Sequence, residues 1–479
     1  MNKRMIAHIL GQVLLIFAAL MLLPLLTALI YGENPAAFAI SAAVTAAVGV
    51  LLSRVPVRTT EIFAREGYAS VGLAWLAMGL FGALPLVLNG DIPDFIDAVF
   101  ETVSGLTTTG ASIVENVELM SRSGLFWRLF THWIGGMGVL VFLLAVIPRG
   151  EEHAMHIMRA EVPGPTVGKL VPKARDTARI LYIIYAALTV IETILLKLGG
   201  MSFYDALLHA FATAGTGGFS TRAASIAAFD SVYIEMVIAV FLILFATNFN
   251  LYYLILIGQA REALKSEELK CYLGLILVST LSIAAGITKI YGGIGTALRH
   301  AFFNVTSIMS TAGFGTVDFT MWPQYAQTIL VLLMFVGGCA GGTGGGLKVS
   351  RVVLLIKTAA ADIARVLHPR EAHCIRMDSE RVEKSTTKAV YCYFFLYLAI
   401  IFSACFIVSF DGFDFTTNFT AALSCISNIG PGLSLIGPTG NFAIFSPLSK
   451  IVLTIVMLLG RLEIYPMVIL ASPSLWKRR

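Results

Sequence analysis

The chain has 479 residues, 57% hydrophobic and 13% charged, with a mean hydropathy of +0.82. Soluble globular chains are about a quarter charged, so a soluble enzyme built on one or two cores is excluded, as are disorder, collagen and a disulfide scaffold. A formal charge of +5 is too mild for a nucleic-acid partner, and six scattered cysteines read as packed free thiols.

In chain order, the first apolar run, residues 11–31, is uncharged and about as long as a bilayer is thick. It is too long for a leader peptide, and a second run, 36–53, follows at once. Both are predicted to be retained helices. Further apolar stretches lie at 71–88, 124–147, 180–198, 234–257, 273–290, 329–356, 391–410 and 451–471. The expectation is an all-α polytopic membrane protein with about ten transmembrane helices and both termini on one side.

Most of the 34 basic residues fall on that side, in the tails and in the loops 148–179 and 357–388. The opposite loops hold few, among them Arg122, Arg128, Arg222, Arg299 and Lys450. The positive-inside rule therefore predicts cytoplasmic termini. His153 and His156 are three apart in a cytoplasmic loop, but no further metal ligands accompany them.

Four connections on the outward side are too apolar for loops and too short to span. Each ends in a small-residue segment holding a glycine: Thr108-Thr109-Gly110, Thr216-Gly217-Gly218, Thr311-Ala312-Gly313 and Asn428-Ile429-Gly430. Six positions before the glycines stand Ser104, Ala212, Ser307 and Ser424, all small. The chain thus divides into a two-helix extension, 1–66, and four pseudo-equivalent pore repeats, 67–150, 151–265, 266–362 and 363–479. Each repeat is read as outer helix, pore half-helix, glycine turn and inner helix, arranged around one central pore.

Non-helical backbone at membrane depth is tolerated only inside protein or along a water-filled cavity. Glycine permits the turn that brings carbonyls inward, and a ring of carbonyls replaces the hydration shell of an alkali cation. Thr311-Ala-Gly-Phe-Gly315 matches the Thr-Val-Gly-Tyr-Gly filter of potassium channels closely. Asn428-Ile-Gly-Pro-Gly432 matches less closely, Thr216-Gly-Gly-Phe-Ser220 and Thr108-Thr-Gly-Ala-Ser112 are degenerate, and only the central glycine is common to all four.

With these four segments in order, the chain resembles the Trk/Ktr/HKT superfamily of potassium transporters over its whole length. Its two extra N-terminal helices are similar to the Trk-type pore subunits. The resemblance implies K⁺ uptake across a bacterial cytoplasmic (inner) membrane. It also implies a homodimer in membrane lipid, seated on a TrkA-like cytoplasmic regulatory subunit that binds nucleotide. No nucleotide fold is visible in this chain, so an organic cofactor belongs on that partner.

Residues Gly337, Gly338, Gly341, Gly342, Gly344, Gly345 and Gly346, followed by Lys348, lie in mid-span. Each glycine costs a helix about 1 kcal/mol relative to alanine, so a broken helix is expected. The reading is an intramembrane gating loop; close helix packing is the plainer alternative. Arg461 lies in the last span, where an arginine is expensive and a functional candidate. Resemblance places it facing the pore near the loop. Glu463 is its nearest candidate partner in sequence, although i, i+2 residues do not face each other on a helix. Glu101 and His209 hold equivalent places in the first two half-helices and are expected to be structural. Asp97 and Asp205 read as N-caps or first-turn acids.

Two other readings stay open. A Na⁺-permeable or cation-coupled symporter shares the architecture, though Gly110 favours K⁺. An intramembrane enzyme would need Ser104 and a base on another helix, and no such constellation is found.

Overall fold

A computed structural model describes residues 2–57, 64–138, 174–370, 374–378 and 380–476. His153 and His156 lie outside these residues, as does the end of the stretch 124–147.

The described chain is helical, apart from one two-residue hairpin, β1 (Arg376–Met377) with β2 (Glu380–Arg381). The N-terminal extension comprises α1 (Lys3–Leu20), α2 (Leu22–Tyr31) and α3 (Ala36–Ser53). Small residues let α1 and α3 touch: a methyl group added at Gly11 would lie 2.7 Å from the carbonyl oxygen of Gly49. Outer helix α4 (Ala64–Asn89) leads to half-helix α5 (Phe95–Leu106) and inner helix α6 (Arg122–Met137). The pattern recurs in α7 (Ala174–Leu198), α8 (Phe203–Ala214) and α9 (Val232–Ala246), followed by α10 (Phe249–Leu256) and α11 (Ala260–Lys265). It recurs again in α12 (Glu267–Tyr291), α13 (Ile294–Met309) and α14 (Gln324–Val336), followed by α15 (Val349–Leu367). The last set is α16 (Lys384–Val408), α17 (Phe415–Ser427) and α18 (Pro447–Arg461), followed by α19 (Tyr465–Ala471) and α20 (Pro473–Trp476).

Among the described residues, six helices are long and apolar enough to cross a membrane, and seven if α9 and α10, bent by 91° at their junction, are counted as one span. The remaining apolar stretches are inner helices that stop part-way. Helix α6 ends at Gly138 (φ 80°), α14 at Gly337 (φ 75°), and α18 gives way to Glu463 (φ 54°) and Ile464 (φ 67°). The glycine run foretold a break only in the third.

Three of the four half-helices start alike. Asp94, Ser202 and Asp414 cap α5, α8 and α17 through side-chain oxygens that accept from backbone N–H groups three residues on. Asp97 and Asp205 are therefore first-turn acids, not caps. Glu33, between α2 and α3, accepts from the backbone N–H groups of Arg122 (2.7 Å) and Ser123 (3.0 Å) and from the Ser123 hydroxyl. It ties the extension to the start of α6. Burial alone would push this carboxyl up, but the hydrogen bonds from Ser123 and Arg122 outweigh it and hold the group below its ordinary value.

Candidate functional site

All four half-helices end in the same turn. The N–H groups of Thr109, Gly217, Ala312 and Ile429 donate to the carbonyls of Ser104, Ala212, Ser307 and Ser424 at 2.8–3.0 Å. Those of Thr108, Thr216, Thr311 and Asn428 donate to Gly105, Thr213, Ile308 and Cys425. This is the Schellman pairing of a helix C-terminus, which places one residue in the left-handed region. Glycine usually fills that place. Here it is Thr108 (φ 55°), Thr216 (φ 53°), Thr311 (φ 65°) and Asn428 (φ 55°). A β-branched residue at positive φ is an outlier, and such strain concentrates at functional sites.

Two residues on, Gly110, Gly218, Gly313 and Gly430 are left-handed again, with φ of 76°, 78°, 77° and 99°. The reason for glycine is more than its φ. A methyl group on Gly110 would sit 1.9 Å from the carbonyl oxygen of Gly217, on Gly218 1.8 Å from that of Ala312, and on Gly313 1.9 Å from that of Ile429. On Gly430 it would sit 2.8 Å from that of Thr109. Each glycine faces the middle carbonyl of the next segment in chain order, and the fourth faces the first. The four segments stand in a closed cycle around one axis.

Above the cycle is a vestibule of about 140 Å³, lined by residues of all four segments. Below it the loop from Gly337 to Lys348 closes the axis. A cavity of about 10 Å³ remains there, between the loop, Asn428, Gly460, Arg461 and Glu463.

The loop is packed, not slack. Cys339 and Thr343 donate backbone N–H groups to Ala246 and Phe245 at the end of α9, and Ala340 donates to the Glu268 carboxylate. Gly345 N–H donates to the Thr311 hydroxyl at 2.6 Å, so the loop touches a glycine segment directly. A methyl group on Gly345 would lie 2.2 Å from the Ser427 carbonyl oxygen, and one on Gly342 2.6 Å from that of Ala246. Gly337, Gly341 and Gly346 have positive φ, and so does Lys348 (75°). Gly338 and Gly344 pack against each other. Close approach and turn formation both account for the glycines.

Arg461 is 7% exposed. Its guanidinium donates to the carbonyls of Thr343 (2.7 Å), Gly135 (2.5 Å) and Gly136 (2.6 Å). It thereby holds the loop to the end of α6. Glu463 pairs with Arg351 instead, at 2.5 Å, where the expectation from sequence proximity was Arg461. The helix turns at Glu463 and Ile464, which sends that carboxylate to another neighbour.

Sequence reasoning missed several buried groups. Arg128 is not in an outer loop: it lies in α6, 4% exposed. Its Nε meets Glu101 at 2.5 Å, Nη2 donates to the Ser112 hydroxyl, and Nη1 donates to the Ser220 carbonyl. Glu101 also accepts from Ser112, and His209 likewise meets the Ser220 hydroxyl at 2.9 Å. Each braces the chain just beyond its glycine. His132, also in α6, accepts from the Phe219 N–H at Nε2 and so donates through Nδ1 to the Gly105 carbonyl. Arg128 and His132, two polar residues one turn apart on α6, were the available signal.

The chain matches the family profile of TrkH, described as cation transport protein, over residues 33–284 and 288–478. It belongs to the TrkH cation transport family. It is 36% identical to the Trk system potassium uptake protein TrkH of Halomonas elongata, with all of both chains covered. Against the TrkH of Escherichia coli it is 35% identical, again over the whole of both chains. Against that organism's TrkG it is 32% identical over 99% of each. The crystal structure of the potassium transporter TrkH from Vibrio parahaemolyticus superposes with a TM-score of 0.90 at 32% identity, covering both chains fully. The TrkH family is one of transporters, not enzymes, and its fold here is all-α with several membrane spans.

Proposed function

We propose that this protein takes potassium up across the bacterial cytoplasmic membrane through a selective pore, with the four glycine segments as its filter. The cycle of glycine-to-carbonyl contacts carries the reading. Carbonyls of Thr109, Gly217, Ala312 and Ile429 would take the place of an ion's water, with the side chains of Thr108, Thr216, Thr311 and Asn428 beneath. The names of the relatives support potassium as the ion.

The loop from Gly337 to Lys348, pinned by Arg461, is the closed gate. A hydrated cation needs far more than the 10 Å³ left below the glycines. Charge distribution orients the vestibule outward and both termini inward. The Trk-system names suggest further subunits; we place a second copy of this chain beside it in the membrane and a TrkA-like nucleotide-binding partner on the inner side.

The test is uptake by bacteria that lack their own K⁺ systems. Gly313→Ser and Gly110→Ser should each reduce K⁺-over-Na⁺ discrimination at least about tenfold, equivalent to roughly 1.4 kcal/mol. Unchanged selectivity in both would overturn the filter assignment. Arg461→Ala should raise flux several-fold, and unchanged flux would remove Arg461 from the gate.

A further inference from the structure

We infer a second cation site, directly beneath the glycine segments, one of whose oxygens, the Gly344 carbonyl, Lys348 occupies with its own ammonium while the gate is closed. The inference rests on the pore reading above and adds the ligands on the inner side.

Three oxygens define it. Asn428 is fully buried, and its amide orientation is fixed by its nitrogen, which faces the Thr109 hydroxyl (3.0 Å) and the carbonyls of Met457 (3.0 Å) and Cys425 (3.4 Å). The opposite atom, Oδ1, is buried and accepts no hydrogen bond. Glu463 binds Arg351 through Oε2, while its Oε1 is likewise buried and unmatched. The Gly344 carbonyl is the third, and it already holds a cation: the Lys348 ammonium donates to it. Asn428, Glu463, Gly344 and Lys348 all line the one cavity under the filter.

Buried acceptors without donors are costly, and most of all when the group is charged. Two such oxygens beside a carbonyl are the class of ligand that replaces part of an alkali cation's hydration shell. The carboxylate suits a cation of either kind. Lys348 is held at positive φ, with its side chain turned back onto its own loop. When the loop leaves, the ammonium leaves with it, and the same oxygens become available to the permeating ion. Arg351 stays on Glu463 and also stacks on Tyr393 at 4.1 Å, so the carboxylate keeps its position. Lys348 is thus a tethered competitor of the ion, and Glu463 and Asn428 are exit ligands.

The test uses the full-length protein in liposomes with Rb⁺ as probe. Lys348→Met should raise basal Rb⁺ uptake several-fold. Adding Glu463→Gln should raise the Rb⁺ concentration for half-maximal uptake by about tenfold, with melting temperature checked in both. Anomalous scattering from Rb⁺-soaked Lys348→Met crystals should show a peak beside Asn428 and Glu463, besides any peak at the glycines. Rb⁺ at the glycines alone, or identical half-saturation in the single and double variants, overturns this inference and leaves the filter reading standing. Rb⁺ at neither place overturns both.

Discussion

At the scale of residues, the unusual fact is a threonine at the left-handed end of three half-helices. Glycine would fit more comfortably, by about 1–2 kcal/mol. The hydroxyls differ in what holds them. That of Thr311 accepts from the loop, that of Thr216 donates to Gly215, and that of Thr108 is buried without a partner. Thr108→Gly therefore removes strain and no structural hydrogen bond. It should raise the melting temperature while lowering selective Rb⁺ uptake. A variant equally selective at higher stability would show that the hydroxyl does no work on the ion. Much of this residue-level pattern was legible, because a glycine recurring two places after Thr or Asn has few packing explanations. What was not legible was the partner of each charge. Glu463 found Arg351 and Arg461 found carbonyls because backbone turns at Glu463 and Ile464 override the helical geometry on which sequence spacing depends.

At the scale of elements, all four pore repeats combine a short helix that stops early with an inner helix that ends or bends within its apolar stretch. The stops were readable from composition: ten or so apolar residues, then small ones. Three of the four breaks were not, because their signals are single residues. Asn248 starts α10 by accepting from Asn250 N–H, and Pro466 opens α19. Only the third break announces itself with a run of glycines. Glu33 is one tie between the extension and α6, beside the packing of Phe17 on Trp127. Glu33→Gln should lower thermal stability in detergent by about 1 kcal/mol, the usual worth of a helix cap. Because the folded carboxyl is held below its ordinary value, its contribution is complete above the unfolded pKa of about 4.3 and is lost as pH falls through the lower folded one. Acid melts of the wild type and Glu33→Gln should converge only below the ordinary carboxylate range.

At the scale of the whole molecule, neighbouring repeats are joined by polar ties at every junction. Arg128 of the first reaches Ser220 of the second, and Glu235 of the second pairs with Arg299 of the third at 2.6 Å. Arg351 of the third pairs with Glu463 of the fourth, and Lys450 of the fourth with Asp97 of the first at 2.6 Å. No periodicity in sequence specifies these pairs, since each joins positions far apart in the chain. Arg128→Gln leaves Glu101 buried without its cation and should cost about 3–5 kcal/mol. The double variant with Glu101→Gln should recover a large part, a non-additivity readable from thermal melts. Additive losses would mean the two side chains stabilise the cycle separately.

The contact that completes the cycle also sets a schedule for the chain's birth. Asn428 donates to the Thr109 hydroxyl across 319 residues of sequence. At about 5–20 residues per second, ribosomes need roughly 16–64 s to make that interval. For that time the first segment lacks its fourth-repeat neighbour. The cycle cannot close until the last repeat arrives, so insertion of that repeat is the step at which an assembly chaperone, or a truncation, should have the greatest effect.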